Sequence, residues 1–408
     1  MTETHAPPAP RRAALVFIFI TVLLDMLALG LVLPVLPKLV ENFVGGNTAR
    51  ASEIFGLFGT AFALMQFLFS PVLGALSDRY GRRPLILVSN FGLGLDYILM
   101  ALAPSLAWLF AGRVISGITS ASIATAYAYV ADVTPAEKRA AAFGMLGAAF
   151  GLGFIVGPAA GGMLGAIDPR LPFWVAAVLS LLNGCYGLFV LPESLPPERR
   201  APLRLRSANP IGSLVLLRAH PELLGLAGSN FLGYVAHVVL PTIFVLYAGY
   251  RYGWDEWTVG LVLAIVGVCA VIVQAGLIGP IVRALGERAT LLLGLACGAI
   301  GFAIFGLAPT GALFCVGIPV MALWGLGSAA SLGLMSKHVG PSEQGQLQGA
   351  NTSIEGVANL IGPGIFALSF AYAIGPGRVF NLPGAPFLIA ALLLIAAAAL
   401  AWIVTRPR

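Results

Sequence analysis

Long apolar runs alternate along this chain with short breaks rich in charge, Gly and Pro, and the runs are too long to be strands. Twelve of them reach the length of about 20 residues that a helix needs to cross a bilayer. They cover 13–36, 52–76, 84–103, 106–130, 140–164 and 171–191, then 221–249, 257–282, 289–309, 311–335, 345–373 and 386–404. The pattern predicts an all-α integral membrane protein with twelve transmembrane helices. The segment MTETHAPPAPRR ahead of the first run is polar and Pro-rich and lacks a signal-type cleavage site, so the first helix is expected to remain as an uncleaved anchor.

Composition agrees with the pattern. The chain is 59% hydrophobic and only 10% charged, where a soluble domain carries about 25% charged residues. No ordinary aqueous surface can be built from it. The 50 Gly and 28 Pro match the enrichment of both in membrane helices. Cys185, Cys269, Cys297 and Cys315 sit singly inside apolar runs and read as packing residues, with neither metal nor disulfide spacing. No G-x-x-x-x-G-K loop is present, so direct ATP drive is not expected.

The net charge of +6 changes meaning once the loops are assigned. With both termini on the cytoplasmic side, the outer loops hold Lys38, Arg50, Arg170, Arg251 and Arg378, and Arg113 falls within a helix. The rest of the 23 Lys and Arg, including Arg11, Arg204, Arg206 and Arg408, then lie inside. The positive-inside rule therefore predicts cytoplasmic termini, and no nucleic-acid partner is needed to explain the charge. The Pro- and Arg-rich stretch 191–210 reads as part of a cytoplasmic linker, either solvated or resting on anionic membrane lipid.

An internal repeat divides the chain. GALSDRYGRRP from Gly74 corresponds to GPIVRALGERA from Gly279, an offset that pairs Gly81 with Gly286 and Arg83 with Arg288. The same offset carries Gly157-Pro158 onto Gly362-Pro363 and Asp25 onto Asn230. The expected organisation is a six-helix half over 1–191, a linker over 192–220 and a second six-helix half over 221–408. Such repeats enclose a site near the midplane and work by rocking one half against the other.

Six stretches carry a family likeness. They are LDMLALGLVLPVLP with Asp25, Gly30, Pro34 and Pro37, then GALSDRYGRRP, LDYILMA with Asp96, AGRVISGITSASIATAYAYVAD with Arg113 and Asp132, GFIVGPAAGG and QGQLQG. Through them the sequence resembles the major facilitator superfamily over nearly its whole length, and within it the tetracycline/proton antiporters and their drug-efflux relatives. The resemblance implies the major facilitator fold, a bacterial inner-membrane location, and proton-coupled antiport exporting amphipathic small molecules. The proton gradient would be the energy source, with no cofactor, no metal and no catalytic residue. A monomer is expected. Two positions depart from the tetracycline exporters: their helix 8 His and helix 9 Asp fall on Ala270 and Gly298, and this chain has Glu355 instead. Uptake of a small organic solute by symport or facilitation is the alternative. An intramembrane aspartyl protease is disfavoured, because Asp25 follows Leu24 and GLGLD has one residue too many.

The residues carry their own chemistry beside that resemblance. A charged side chain costs about 2.5–3.5 kcal/mol at the bilayer centre on insertion scales, so one retained there is a functional candidate. Asp25, Asp96, Arg113 and Glu355 qualify, as proton-coupling groups or as countercharges for substrate. The competing reading is a structural polar contact, for Asp25 one held by Ser or Asn neighbours. Asn351 and Asn359 lie one helical turn either side of Glu355. Gln66, Tyr127, Asn230, His237 and Gln274 are further candidates to line the cavity. Gly74, Asp78, Arg79, Gly81, Arg82 and Arg83 read as a cytoplasmic gate, with Asp78 expected to meet a helix N-terminus. Gly153, Gly157, Gly161 and Gly162 permit close helix packing, with Pro158 as a bend.

Overall fold

A computed structural model of the chain describes residues 12–120, 122–135, 138–200, 202, 209–340, 343–378 and 381–406. Arg11, Arg204, Arg206 and Arg408 lie outside them. Among the described residues there is no strand. The first helices are α1 (Leu15–Phe43), α2 (Thr48–Tyr80), α3 (Arg82–Ala101), α4 (Leu106–Val133), α5 (Ala141–Ile167), α6 (Leu171–Val190) and α7 (Pro221–Tyr252). Then comes one helical stretch of 52 residues, Glu256–Leu307.

Length decides how that stretch must be counted. At about 1.5 Å per residue it would extend on the order of 78 Å, against a hydrocarbon core of about 30 Å. It is two crossings. The break falls at Gly286, whose backbone turns to φ 76° and ψ 164°, a region that glycine enters without steric cost. We number the pieces α8 (256–285) and α9 (287–307), followed by α10 (Gly311–Ser336), α11 (Gln344–Ile374) and α12 (Ala385–Val404). The twelve crossings follow the apolar runs. The α8–α9 turn is so tight that a single glycine makes it.

The repeat is visible in the backbone. Gly81, the counterpart of Gly286 between α2 and α3, also has a positive φ, of 107°. The arginines two residues later act alike. Arg83 Nη2 donates to the Leu188 carbonyl at the end of α6 (2.5 Å). Arg288 Nε donates to Thr405 Oγ1 just past α12 (3.1 Å), and its guanidinium lies 4.6 Å from the Trp402 ring centre. Each cation thus ties the third helix of its half to the end of the sixth, where the helix dipole favours positive charge.

The two sets of six helices meet at one end of the molecule, opposite the linker. There α2 packs on α11: Ser52 Oγ donates to the Ala367 carbonyl (3.0 Å), and Gly56 and Gly59 face Ala367 and Pro363. The equivalent pair, α5 and α8, meets where Gly162 faces Gly260 and the Glu256 carbonyl. Gly153, Gly157 and Gly161 turn instead toward Met26, Gly30 and Leu31 of α1. Small residues let backbones approach this closely, which is how helices associate without a hydrophobic drive. Toward the linker end the packing stops. Around Gly74, Gly144, Gly147, Gly276 and Gly279 nothing beyond the helix's own neighbouring backbone lies within 4 Å of where a Cβ would stand. The helices are sealed at the far end and splayed at the linker end.

One ionic cluster ties the linker end of the second half together. His220, just before α7, lies 3.2 Å from Glu222 and 3.3 Å from Glu343, which precedes α11. The two carboxylates, Glu343 foremost, push the imidazole above its ordinary value of 6.5.

This packing can be tested by substitution. Replacing Gly161 by Val drives a side chain into the Leu31 backbone of α1 and should cost about 1–3 kcal/mol, the usual range for overpacking. Gly147→Val enters open space, so its melting temperature in detergent should match the parent; equal losses for both would refute the sealed-and-splayed geometry. His220 binds its proton more tightly when folded, so its contribution is full below pH 6.5 and is lost as pH rises through the raised folded value. Parent and His220→Gln melting curves should therefore converge toward alkaline pH and differ most in mild acid.

Candidate functional site

The intramembrane charges of the first half lie together inside its bundle. Asp96 on α3 is 1% exposed and accepts a hydrogen bond from Ser116 Oγ of α4. Arg113, one turn before Ser116, donates to that same hydroxyl (3.1 Å) and lies 5.4 Å from the ring centre of Phe62 on α2. Asp96 and Arg113 form no direct ion pair; Ser116 stands between them. Gly112 leaves room for the carboxylate, since a Cβ there would come within 2.9 Å of Asp96 Oδ1. Asp25 on α1 is 6% exposed, and its Oδ1 accepts from Asn183 Nδ2 of α6 (3.0 Å). The buried Tyr97 lies within electrostatic reach of Arg113, Asp96 and Asp25. The three charges share one neighbourhood. Asp96 is packed behind Ser116 and Gly112, away from any open wall, because its side of α3 turns into the bundle.

Between the halves, on the splayed side, is a cavity of about 730 Å³. Tyr127, Gly147 and Gly151 line it from the first half, and Ala270 and Gln274 from the second. A second cavity, of about 360 Å³, enters the C-terminal bundle and shares Gln274 with the first. Its polar wall comprises Asn230, Gln274, Gln348, Asn351 and Ser328. Asn230 is anchored: its amide donates to Asn351 Oδ1 (3.2 Å), and its Oδ1 accepts from Ser331 (2.6 Å).

Local irregularities in the helices place these groups. Gln274 sits in a π-helical turn, Ile272–Leu277, within α8. Trp324 occupies the break of α10 between Ala322 and Gly325. His237 ends the first piece of α7, and its ring centre lies 5.3 Å from that of Trp324. π-turns and broken membrane helices collect at functional sites, because their loosened backbone must face water or protein. Glu355 is exposed, on the face of α11 near Tyr234, whose hydroxyl feels its charge. Asn351 is buried at 7%, while Asn359 and Gln66 are half-buried and border neither cavity. The expected stripe of Asn351, Glu355 and Asn359 is thus divided between pocket, open face and packing.

At the linker end, Arg82 is the hub. It reaches Asp78 (2.5 Å) and Asp132 at the end of α4 (3.0 Å). Asp78 therefore pairs with Arg82, one turn ahead, and makes no bond to a helix N-terminus among the described residues. With the linker end splayed, no helix of the other half is within reach. The N-terminus of α3 is capped by Glu193 instead, which accepts from the Arg82 and Arg83 backbone N–H groups (2.8 and 3.3 Å). Arg79 points outward over Tyr80. Glu193, Ser116, Asn183 and Trp324 escape a reading of the sequence. Asn183, polar within an apolar run, and Ser116, one turn from Arg113, carried a legible signal; Glu193 acts across more than a hundred residues and carried none.

Comparison with known proteins gives this geometry a family. The family model described as Major Facilitator Superfamily matches residues 18–363. The chain is 39% identical over 358 residues to the tetracycline resistance protein, class C, of Escherichia coli, covering 88% of this chain and 90% of that one. It superposes on the human organic anion transporter MFSD10 (TETRAN) with a TM-score of 0.70 at 26% identity, covering 97% of this chain and all of that one. Against the nucleoside transporter NupG the TM-score is 0.78 at 13% identity, with 97% and 100% covered, a likeness of fold alone. A twelve-helix protein with a repeated glycine turn, a buried charge cluster and a cleft between its halves belongs, on these matches, to the Major Facilitator Superfamily, and is a transporter, not an enzyme.

Proposed function

We propose that this protein is a proton-coupled antiporter that exports amphipathic small molecules across a bacterial inner membrane, with both termini in the cytoplasm. The observation that carries this reading is the buried Asp96, joined to Arg113 through Ser116. An ionised carboxylate in an apolar bundle needs a cation or donors close by. A protonated one needs neither. Loss or gain of one proton at Asp96 therefore changes how tightly Arg113 is held, and Arg113 lies against α2, a helix of the interface between halves.

Positive-inside orientation makes the splayed linker end the cytoplasmic one. A substrate would enter there from the cytoplasm or the inner leaflet and reach the cavities around Gln274 and Asn351. Rocking of the halves 1–191 and 221–408 about the linker 192–220 would open the far end and release it. The small-residue contacts α2–α11 and α5–α8 are the seal that must part. In the opposite state Asp78, half exposed beside Arg82, would trade that partner for one across the halves. The proton gradient is the energy source in this scheme. Similarity to tetracycline resistance proteins supports the outward direction.

The test is proton release from acid-loaded proteoliposomes on addition of tetracycline and a panel of amphipathic cations and neutral drugs. The parent should release protons with one compound class. Asp96→Asn and Asp25→Asn, purified in folded form, should be slower by about a hundredfold or more, the usual loss when a proton-transfer group is removed. Asn variants that pump like the parent would sink the proposal.

A further inference from the structure

We infer that the 360 Å³ cavity in the C-terminal bundle is a subsite for the uncharged, flat, hydrogen-bonding part of the substrate, with Trp324 as its stacking wall and Gln274 and Gln348 as its edge donors and acceptors. This rests on the transport reading above and names the chemistry it would select.

Three observations converge. The first is charge. Asp25, Asp96 and Arg113 belong to the first half, and the lining of the second half's cavity presents carboxamides and hydroxyls but no acid or base beyond the Tyr234 phenol, Glu355 standing outside it on the exposed face of α11. A charged group seated against this lining would be desolvated with no countercharge in the lining itself, whereas carbonyl, amide or hydroxyl edges would be matched. The second is spare bonding capacity. Asn230 is spent on Asn351 and Ser331. Gln274 and Gln348 have no hydrogen bond to another described residue, although both sit in membrane-spanning helices and face the cavity. Each offers two donors and an acceptor. The third is the wall. Trp324 stands at the break of α10, braced by His237 (5.3 Å between ring centres) and Phe302 (6.2 Å). It can stand there because position 298 on α9 is glycine: a Cβ would come within 2.8 Å of Trp324 Cγ. Gly298 thus lets Trp324 present an aromatic face to the cavity, which favours flat rings through offset stacking.

The experiment is equilibrium dialysis of the purified full-length protein in detergent, without any gradient, using 1,8-dihydroxyanthraquinone as the flat neutral probe. Tetraphenylphosphonium, a bulky cation without donors or acceptors, serves as competitor. Trp324→Ala should weaken quinone binding about tenfold, as loss of a buried ring contact does. Trp324→Phe should restore most of it. Gln274→Leu and Gln348→Leu should each weaken it about threefold or more, the scale of one hydrogen bond. Both remove groups without protein partners, so folding is expected to survive. Gly298→Ala should weaken quinone binding by displacing the indole. Full competition by tetraphenylphosphonium, no quinone binding by the parent, or unchanged binding in the Trp324→Ala and Gln variants would each overturn the inference. Binding that follows these expectations while no compound evokes proton release would leave the subsite standing and remove the antiport reading.

Discussion

The structure depends on one constraint: inside an apolar bundle, a charge must be neutralised, bonded or protonated. Asp96, Ser116 and Arg113 meet it as a chain rather than as a pair. A direct Asp–Arg bridge would be insensitive to a passing proton, because removing either partner of a buried pair is strongly costly. A bridge through a hydroxyl is softer. Ser116 can donate to the carboxylate while accepting from the guanidinium, and can reorient when the carboxylate takes a proton. Asp25 is held differently, by the Asn183 amide of α6, so the first half carries two carboxylates in unlike settings around Tyr97.

That chain is useful only if the helices around it can move as units, and the glycines govern this. At the far end they let α2 touch α11 and α5 touch α8. At the linker end glycines in the same helices face nothing, so the same helices diverge. The pairs α2–α11 and α8–α5 are equivalents under the repeat, and the two glycine turns at Gly81 and Gly286 share a positive φ. The symmetry of the seal comes from the symmetry of the sequence. Close, flat contacts built from small residues have little side-chain interdigitation to undo, which suits surfaces that must separate and re-form.

Much of this is legible in the amino-acid sequence. Apolar run lengths mark the crossings, α8 and α9 included, because the bilayer fixes how long a helix must be; what they do not mark is that the turn between α8 and α9 is a single residue, Gly286. The offset between Gly81 and Gly286 marks the repeat because glycine at a left-handed turn is a backbone requirement. Asp25, Asp96 and Arg113 stand out because charge is rare in such runs. What stays hidden depends on distance in sequence. Glu193 caps α3 from beyond α6, Asn183 meets Asp25 across most of the first half, and Trp324 shapes a pocket through Gly298. Asp78, expected against a helix N-terminus, bonds Arg82 instead, because that guanidinium lies four residues ahead while Glu193 caps the N-terminus of α3.

The central claim is that protonation in the first half governs which end is open. The most direct measurement is the distance between paired spin labels at positions 79 and 283 on the linker end and 50 and 251 on the far end, in a background without Cys185, Cys269, Cys297 and Cys315. Lowering the pH should shift the two pairs in opposite senses, one shortening as the other lengthens, and Asp96→Asn should abolish the response. Pairs that move together, or an Asp96→Asn protein that still responds to pH, would contradict it.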